Sequence, residues 1–185
     1  MATKSAISGE NLILVAELRQ QMASRQSAVE KRPGVYRWWF PKTKAEELLA
    51  HFKNQNSLKG KILQERKING KQYVALYFGI SNDMSRRIRW HIRGPFKSST
   101  LRRTLRAILT PNTTDDDTAA SIVNQWLDKC YWEWDYTDTV ESAEQLETAE
   151  LAQQEFAYPL NISKNETMPA AWIAELKELR ANSPH

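Results

Sequence analysis

The chain has 185 residues, 41% of them hydrophobic and 26% charged, with a net charge of +4 and a pI near 9.2. This length suits one domain over 1–185, and the composition excludes the disordered class. One cysteine, Cys130, and three scattered histidines, His51, His91 and His185, exclude an intrachain disulfide, a thiolate metal cluster and a zinc site of the usual spacing. No signal-like run follows the first residues and nothing approaches the ~20 apolar residues of a membrane span, so the chain reads as cytoplasmic with no membrane partner.

Leu14, Leu18, Met22 and Val29 recur at helix-like spacing and predict an amphipathic helix over 11–31, broken at Arg32-Pro33-Gly34. Val35 to Phe40 is β-branched and aromatic between Pro33-Gly34 and Pro41, which predicts a strand. Lys44 to Lys53 reads as a short helix. Lys61 to Lys67 and Lys71 to Ile80 flank Asn69-Gly70, the pair that a type I′ hairpin turn favours because both central residues need positive φ. The second arm, Tyr73 to Ile80, is nearly all apolar and should be the most buried strand.

Ser81-Asn82-Asp83 offers capping oxygens for a helix running to Arg93, where Gly94-Pro95 stops it. Ser98 to Leu109 reads as a basic helix, Asn112 to Asp117 as a loop and Ala119 to Cys130 as a helix. Tyr131 to Tyr136 alternates aromatic and acid, as a half-exposed strand does. Val140 to Ala157 is helical up to Tyr158-Pro159, and a last helix covers 169–180. The expected fold is α+β: a small, mostly antiparallel three-stranded central sheet, with the hairpin as an insertion, flanked by helices. Its core spans about 33–166, and the helices over 11–31 and 169–180 are additions.

Charge is unevenly placed. Arg86, Arg87, Arg89, Arg93, Lys97, Arg102, Arg103 and Arg106 follow one another without a carboxylate, whereas Asp115 to Glu155 is acidic. Such a block is either a phosphate-facing surface or a solvated helical face. Within it, Met84, Ile88 and Ile92 form an inward stripe, and Arg87 and His91, four apart, stack along its edge. The small polar residues and free amides of Arg93 to Arg103 suit phosphate contacts. Arg86, Arg89, Arg93, Lys97, Ser98, Ser99, Arg102 and Arg103 are therefore the candidate nucleic-acid contacts, and Phe96 is either a base-side insertion or a core anchor.

Gly34-Val35-Tyr36 followed by Tyr77-Phe78-Gly79 resembles the paired motif of the GIY-YIG nuclease family. Arg87 stands ten positions after Tyr77 on the following helix, as in that family, and His91 stands one turn later. Pro159-Leu160-Asn161 is similar to a later family segment. Counting back from it reaches Glu150, with Glu147 as the alternative one turn earlier. The stretch between the two tyrosine motifs is longer than in the smallest members.

The resemblance implies a metal-dependent DNA endonuclease whose catalytic residues are Tyr36, Tyr77, Arg87, His91, Glu150 (or Glu147) and Asn161. The glutamate would hold one Mg²⁺ or Mn²⁺, and Arg87 would clamp a non-bridging oxygen. Tyr36 would orient or deprotonate the water, and Tyr77 would hold the phosphate or share the proton. A phenol with pKa near 10 is only about 0.1% ionised at neutral pH, so this scheme expects positive charge from Arg87, His91 and the metal. Cutting both strands with one such site would call for a homodimer. The alternatives are a non-catalytic nucleic-acid-binding module of the same fold and a protein-interaction domain using exposed aromatics.

Overall fold

The strand expected around Tyr36 lies in the middle of the protein. The structure is a computed structural model and describes residues 7–153 and 156–183. Its sheet comprises β1 (Asn11–Leu14), β2 (Gly34–Pro41), β3 (Glu65–Ile68), β4 (Lys71–Ser81) and β5 (Tyr131–Tyr136). They run in the order β1-β5-β2-β4-β3, every pair antiparallel. Among the described residues seven α-helices accompany it: α1 (Val15–Ala23), α2 (Lys42–Leu49), α3 (Met84–Arg93), α4 (Thr100–Leu109), α5 (Asp116–Leu127), α6 (Val140–Leu151) and α7 (Ala170–Ala181).

The α+β class agrees with the expectation, but the sheet has five strands instead of three plus a hairpin. The additional strand is β1, inside the segment expected to be one helix over 11–31. Asn11-Leu12-Ile13-Leu14 is a continuous apolar run, which periodicity alone cannot assign. The free edge of β5 captures it, and Leu12 and Ile13 then pack on opposite faces of the sheet. The helical spacing persists only through Val15, Leu18 and Met22. The helix expected to reach Ala157 ends at Leu151; Gln154 and Glu155, within that expected span, lie outside the described residues.

The hairpin forms at Asn69-Gly70, with φ of 48° and 80°. Its long arm β4 pairs with β2, which in turn pairs with β5, so β2 is buried on both faces. One layer holds Tyr36, Trp38 and Phe40 of β2 together with Met84, Ile88 and Ile92 of α3 and apolar residues of α1, α2, α4, α5 and α7. The other holds Val35 and Trp39 of β2 with Phe78, Tyr158, and Ala143 and Leu151 of α6.

Strict alternation along β4 would assign Val74 and Leu76 to the first layer and Ala75 and Tyr77 to the second. The register prevents that. Trp38 faces Tyr77 but Trp39 faces Ala75, so Leu76 is an extra residue in β4. Such a bulge reverses the phase of side chains beyond it. Leu76 and Tyr77 consequently share the first layer, and Phe78 takes the second.

β3 covers β4 only as far as Val74, leaving the outer edge beyond it to another partner. The segment after α6 supplies one. Leu160 donates its N–H to the Leu76 carbonyl at 3.0 Å. The Asn161 side chain accepts from Phe78 N–H at 2.9 Å and donates to the Phe78 carbonyl at 2.7 Å. One amide thereby satisfies both backbone groups of the residue after Tyr77. Asn161, expected among the catalytic residues, has both of its polar side-chain atoms engaged by the backbone of Phe78 and so holds the tyrosine strand.

Truncation of Asn161 would leave a buried N–H and C=O unsatisfied, each costing about 1–3 kcal/mol. We expect Asn161→Ala to lower the stability measured by urea unfolding by about 2–4 kcal/mol.

Candidate active site

Tyr36 and Tyr77 meet on the first layer with ring centroids 6.3 Å apart. Tyr36 is opposite Gly79 across the β2–β4 ladder, and a Cβ added at Gly79 would lie 2.6 Å from the Tyr36 hydroxyl. Glycine is therefore required there by the tyrosine ring, which lies over that backbone.

α3 brings the remaining groups. Asp83 caps it by accepting from Arg86 N–H, and the Met84, Ile88 and Ile92 stripe fixes its rotation. His91, on the inner side of the same helix, is only 1% exposed. Its Nε2 is 2.9 Å from the Tyr36 hydroxyl and its Nδ1 is 2.7 Å from Ser99 Oγ. Ser99 is the N-cap of α4 and also accepts from Arg102 N–H at 3.1 Å. Arg87, one turn before His91, acts electrostatically on Tyr36, Tyr77 and His91. Its Nε is buried without a hydrogen-bond partner, so a donor in this cluster remains free.

Burial and the neighbouring Tyr77 hold the Tyr36 phenol well above its ordinary pKa, against the opposing effect of Arg87. Burial also raises Tyr77, with Arg87 and Arg180 opposing. Burial, then Arg87 and Arg102, pushes His91 well below the usual imidazole range. His91 is thus a neutral imidazole at pH 7. Burial first, and the charges of Arg87 and Arg102 after it, disfavour the protonated form and so work against the positive charge expected of it.

This constellation has a counterpart in a known family. The GIY-YIG catalytic domain matches the chain over residues 34–182, from the first residue of β2 to the end of α7. The chain belongs to the GIY-YIG family. No curated protein and no solved structure matches it. Family membership points to nuclease function, since GIY-YIG nucleases act on DNA. Among the described residues no helix is long and apolar enough to cross a membrane.

Two glutamates of α6 compete for the place of the GIY-YIG carboxylate, and the structure separates them. Glu150 is 1% exposed and joins the second layer. It accepts from Tyr158 Oη and from Gln64 Nε2 at 2.9 Å, and pairs with Arg37 at 3.4 Å. Arg37 also faces Glu133, which binds Arg66 and accepts from Trp39 Nε1. Glu150 is therefore a member of a buried ion-pair network across the sheet from the tyrosines. Glu147, one turn earlier, instead exerts its charge on both Tyr36 and Tyr77. Its side chain is 13% exposed and meets Lys164 at 3.0 Å. Among the described residues no cluster of three or more His, Cys, Asp or Glu could cage a metal, so any ion here would lean on a single carboxylate, water and substrate.

The expected nucleic-acid contacts also divide. Arg86, Arg89, Arg93 and Lys97 are exposed on α3 and the turn after it. Ser98 and Arg103 are half-buried. Ser99 and Arg102 are internal: Ser99 holds His91, while Arg102 donates to the Ile92 carbonyl at 3.0 Å and to Asn124 Oδ1 at 2.7 Å. Phe96 is buried, with the guanidinium carbons of Arg102 and Arg106 5.2 and 4.6 Å from its ring centroid, which makes it a core anchor. Sequence reading missed Arg180 and Lys164 because both lie beyond the basic block, in segments with no charge pattern of their own.

Breaking a buried ion pair costs about 3–5 kcal/mol, whereas a largely superficial pair contributes about 0–1. Urea unfolding of Glu150→Ala and Glu147→Ala should show this separation. His91 provides a second measurement. Its folded pKa lies below the unfolded value near 6.5, so only the unfolded chain gains a proton as pH falls below about 6.5. Its contribution is fully present above that pH and declines beneath it by up to about 1.4 kcal/mol per pH unit. The melting temperature of the wild type should therefore fall more steeply below pH 6.5 than that of His91→Gln.

Proposed function

We propose that the protein is a metal-dependent DNA endonuclease that hydrolyses a phosphodiester at the Tyr36–Tyr77–Arg87–His91 cluster. The observation that carries this reading is the hydrogen-bonded line from Tyr36 through His91 to Ser99, with a neutral imidazole at its centre.

Hydrolysis requires an activated water, relief of charge on the phosphoryl oxygens and a stabilised leaving oxygen. A phenol raised by burial is not ionised at rest, so Tyr36 needs a proton acceptor at the moment it takes a proton from water. His91 fills that role. With its own proton on Nδ1 and donated to Ser99, Nε2 is free to accept from Tyr36. The water oxygen bonds to phosphorus, its proton passes to Tyr36 Oη, and the Tyr36 proton moves to His91 Nε2 as the bond to the leaving oxygen breaks. Arg87, with a free Nε, faces a non-bridging oxygen, and Tyr77 hydrogen-bonds the same phosphoryl group.

Glu147 fits one Mg²⁺ or Mn²⁺ better than Glu150. It is the carboxylate felt by the tyrosines, and its partner Lys164 lies on an exposed surface from which it can swing away. When bound, such an ion would supply charge neutralisation for the phosphoryl and leaving oxygens while keeping most of its ligands as water. The exposed cations Arg86, Arg89, Arg93 and Lys97 would follow the DNA backbone toward this cluster. A homodimer would serve double-strand cutting.

Supercoiled plasmid incubated with Mg²⁺ or Mn²⁺ tests the reading. Nicking or linearisation is expected for the wild type, with rates at least about 10²-fold lower in Tyr36→Phe and in Glu147→Gln. The acid limb of the pH–rate profile should lie below pH 6.5, because His91 stays neutral there. Cleavage surviving Glu147→Gln would remove that residue from the metal site. A wild type that binds plasmid and branched DNA but cuts neither would identify a non-catalytic binding module.

A further inference from the structure

A cavity of about 370 Å³ lies where α4, the start of α5 and the end of α7 converge. Its walls include Lys97, Arg103, Arg106 and Arg180, and among them Asp116 is the one carboxylate. Arg106 is 2% exposed. Its Nη1 pairs with Asp116 at 2.6 Å and its face lies on Phe96, yet its Nε and Nη2 are buried without partners. The Nε of Arg103 is also buried and unpaired. Arg180 is held by donating to Thr104 Oγ1 at 2.6 Å and to the Leu160 carbonyl at 3.4 Å. Burial, with repulsion from Arg103, brings its pKa down to about 10.

Four cations gathered around one carboxylate leave like charges unbalanced, and a ligand in the cavity would relieve their repulsion. It must be anionic, rich in acceptor oxygens and small. These are the properties of a phosphate group, which planar guanidinium forks bind at several oxygens.

The cavity is distinct from the tyrosine cluster but joined to it. Arg180 lines the cavity and its charge also acts on Tyr77. Lys97 stands at the end of the exposed cation row on α3. A strand entering the cluster along that row would pass this opening.

We propose that the cavity is a second anion site that seats a phosphate group of the substrate strand, away from the one being cut. The phosphate chemistry stands on the donors themselves; its assignment to a DNA strand rests on the nuclease reading. A backbone phosphodiester and a terminal phosphomonoester share that chemistry, and experiment can tell them apart.

Inorganic phosphate, at ionic strength matched with chloride, is the first probe, read by the melting temperature of the full chain. A ligand at ten times its Kd should raise Tm by about 3–5 °C. The rise should be absent in Arg103→Gln and in Arg106→Gln. Arg103 is half-buried, so its variant keeps the test usable should the Arg106 variant fail to fold.

The second probe is a short duplex with a 5′-phosphate or a 5′-hydroxyl, whose binding is measured without metal. Arg103→Gln should weaken binding about tenfold and lower the salt slope by about one. A loss confined to the 5′-phosphorylated duplex assigns the site to a strand end. An equal loss on both assigns it to an internal phosphate. Phosphate that stabilises the wild type no more than chloride does, or stabilises both variants equally, overturns the proposal. Because these measurements require no cleavage, a protein that binds phosphate but never cuts plasmid would refute the nuclease reading and leave the site standing.

Discussion

The arrangement depends on one extra residue in β4. Were Leu76 paired regularly instead of bulged, alternation along the strand would send Tyr77 to the layer that holds Arg37 and Glu150, across the sheet from Tyr36. The bulge costs regular pairing at Leu76, and the structure restores it from the side. Leu160 N–H takes the Leu76 carbonyl, and the Asn161 amide takes both backbone groups of Phe78. Gly79 completes the arrangement, since a side chain there would displace the Tyr36 ring. A turn 83 residues downstream of Phe78 thus keeps the two phenols on one layer.

The two faces of the sheet solve opposite electrostatic problems. On the second face, Arg37 and Arg66 meet Glu133 and Glu150, with Trp39, Gln64 and Tyr158 filling remaining hydrogen-bonding positions. Charges balance there, and such a network fixes the packing of α6 against β2. On the first face the balance is broken. Arg87, Arg102 and Arg180 surround the tyrosines and His91, with Glu147 as the carboxylate acting on the tyrosines. Burial depresses the histidine, and that imbalance adds to it. Glu150 and Glu147 are one turn apart on α6 but fall to these two different regimes.

The elements that sequence revealed best are those with a local cause. Asn69-Gly70 demanded positive φ, Asp83 capped a helix whose inward stripe was periodic, and Tyr131 to Tyr136 alternated as a strand should. The tyrosine motifs, Arg87 and His91 were legible because they recur at fixed spacing. What remained hidden required the third dimension. β1 is a strand because β5 has a free edge, and no property of Asn11 to Leu14 announces it. Ser99 and Arg102 looked like surface phosphate contacts because small hydroxyls and arginines in a basic run usually are; here one orients His91 and the other ties α4 to α3 and α5. Counting along the chain favoured Glu150 with Glu147 as its alternative, and only the packed structure shows that the first joins the Arg37 network while the second meets Lys164.

At rest, both tyrosines keep their protons and the imidazole has none to give to solvent. Burial imposes this state on all three groups, so none can act alone. In the proposed reaction, proton movement would run along Tyr36 Oη and His91 Nε2 and would become favourable when another charge enters. A phosphoryl group against Arg87 would neutralise the cation that depresses His91 most among its neighbours, and the imidazole would then accept a proton more readily. On the proposed nuclease reading the substrate's own charge would convert a weak resting base into a competent one. On that reading such a site would stay inert toward water until the strand is in place, because burial, reinforced by Arg87 and Arg102, holds His91 a weak base.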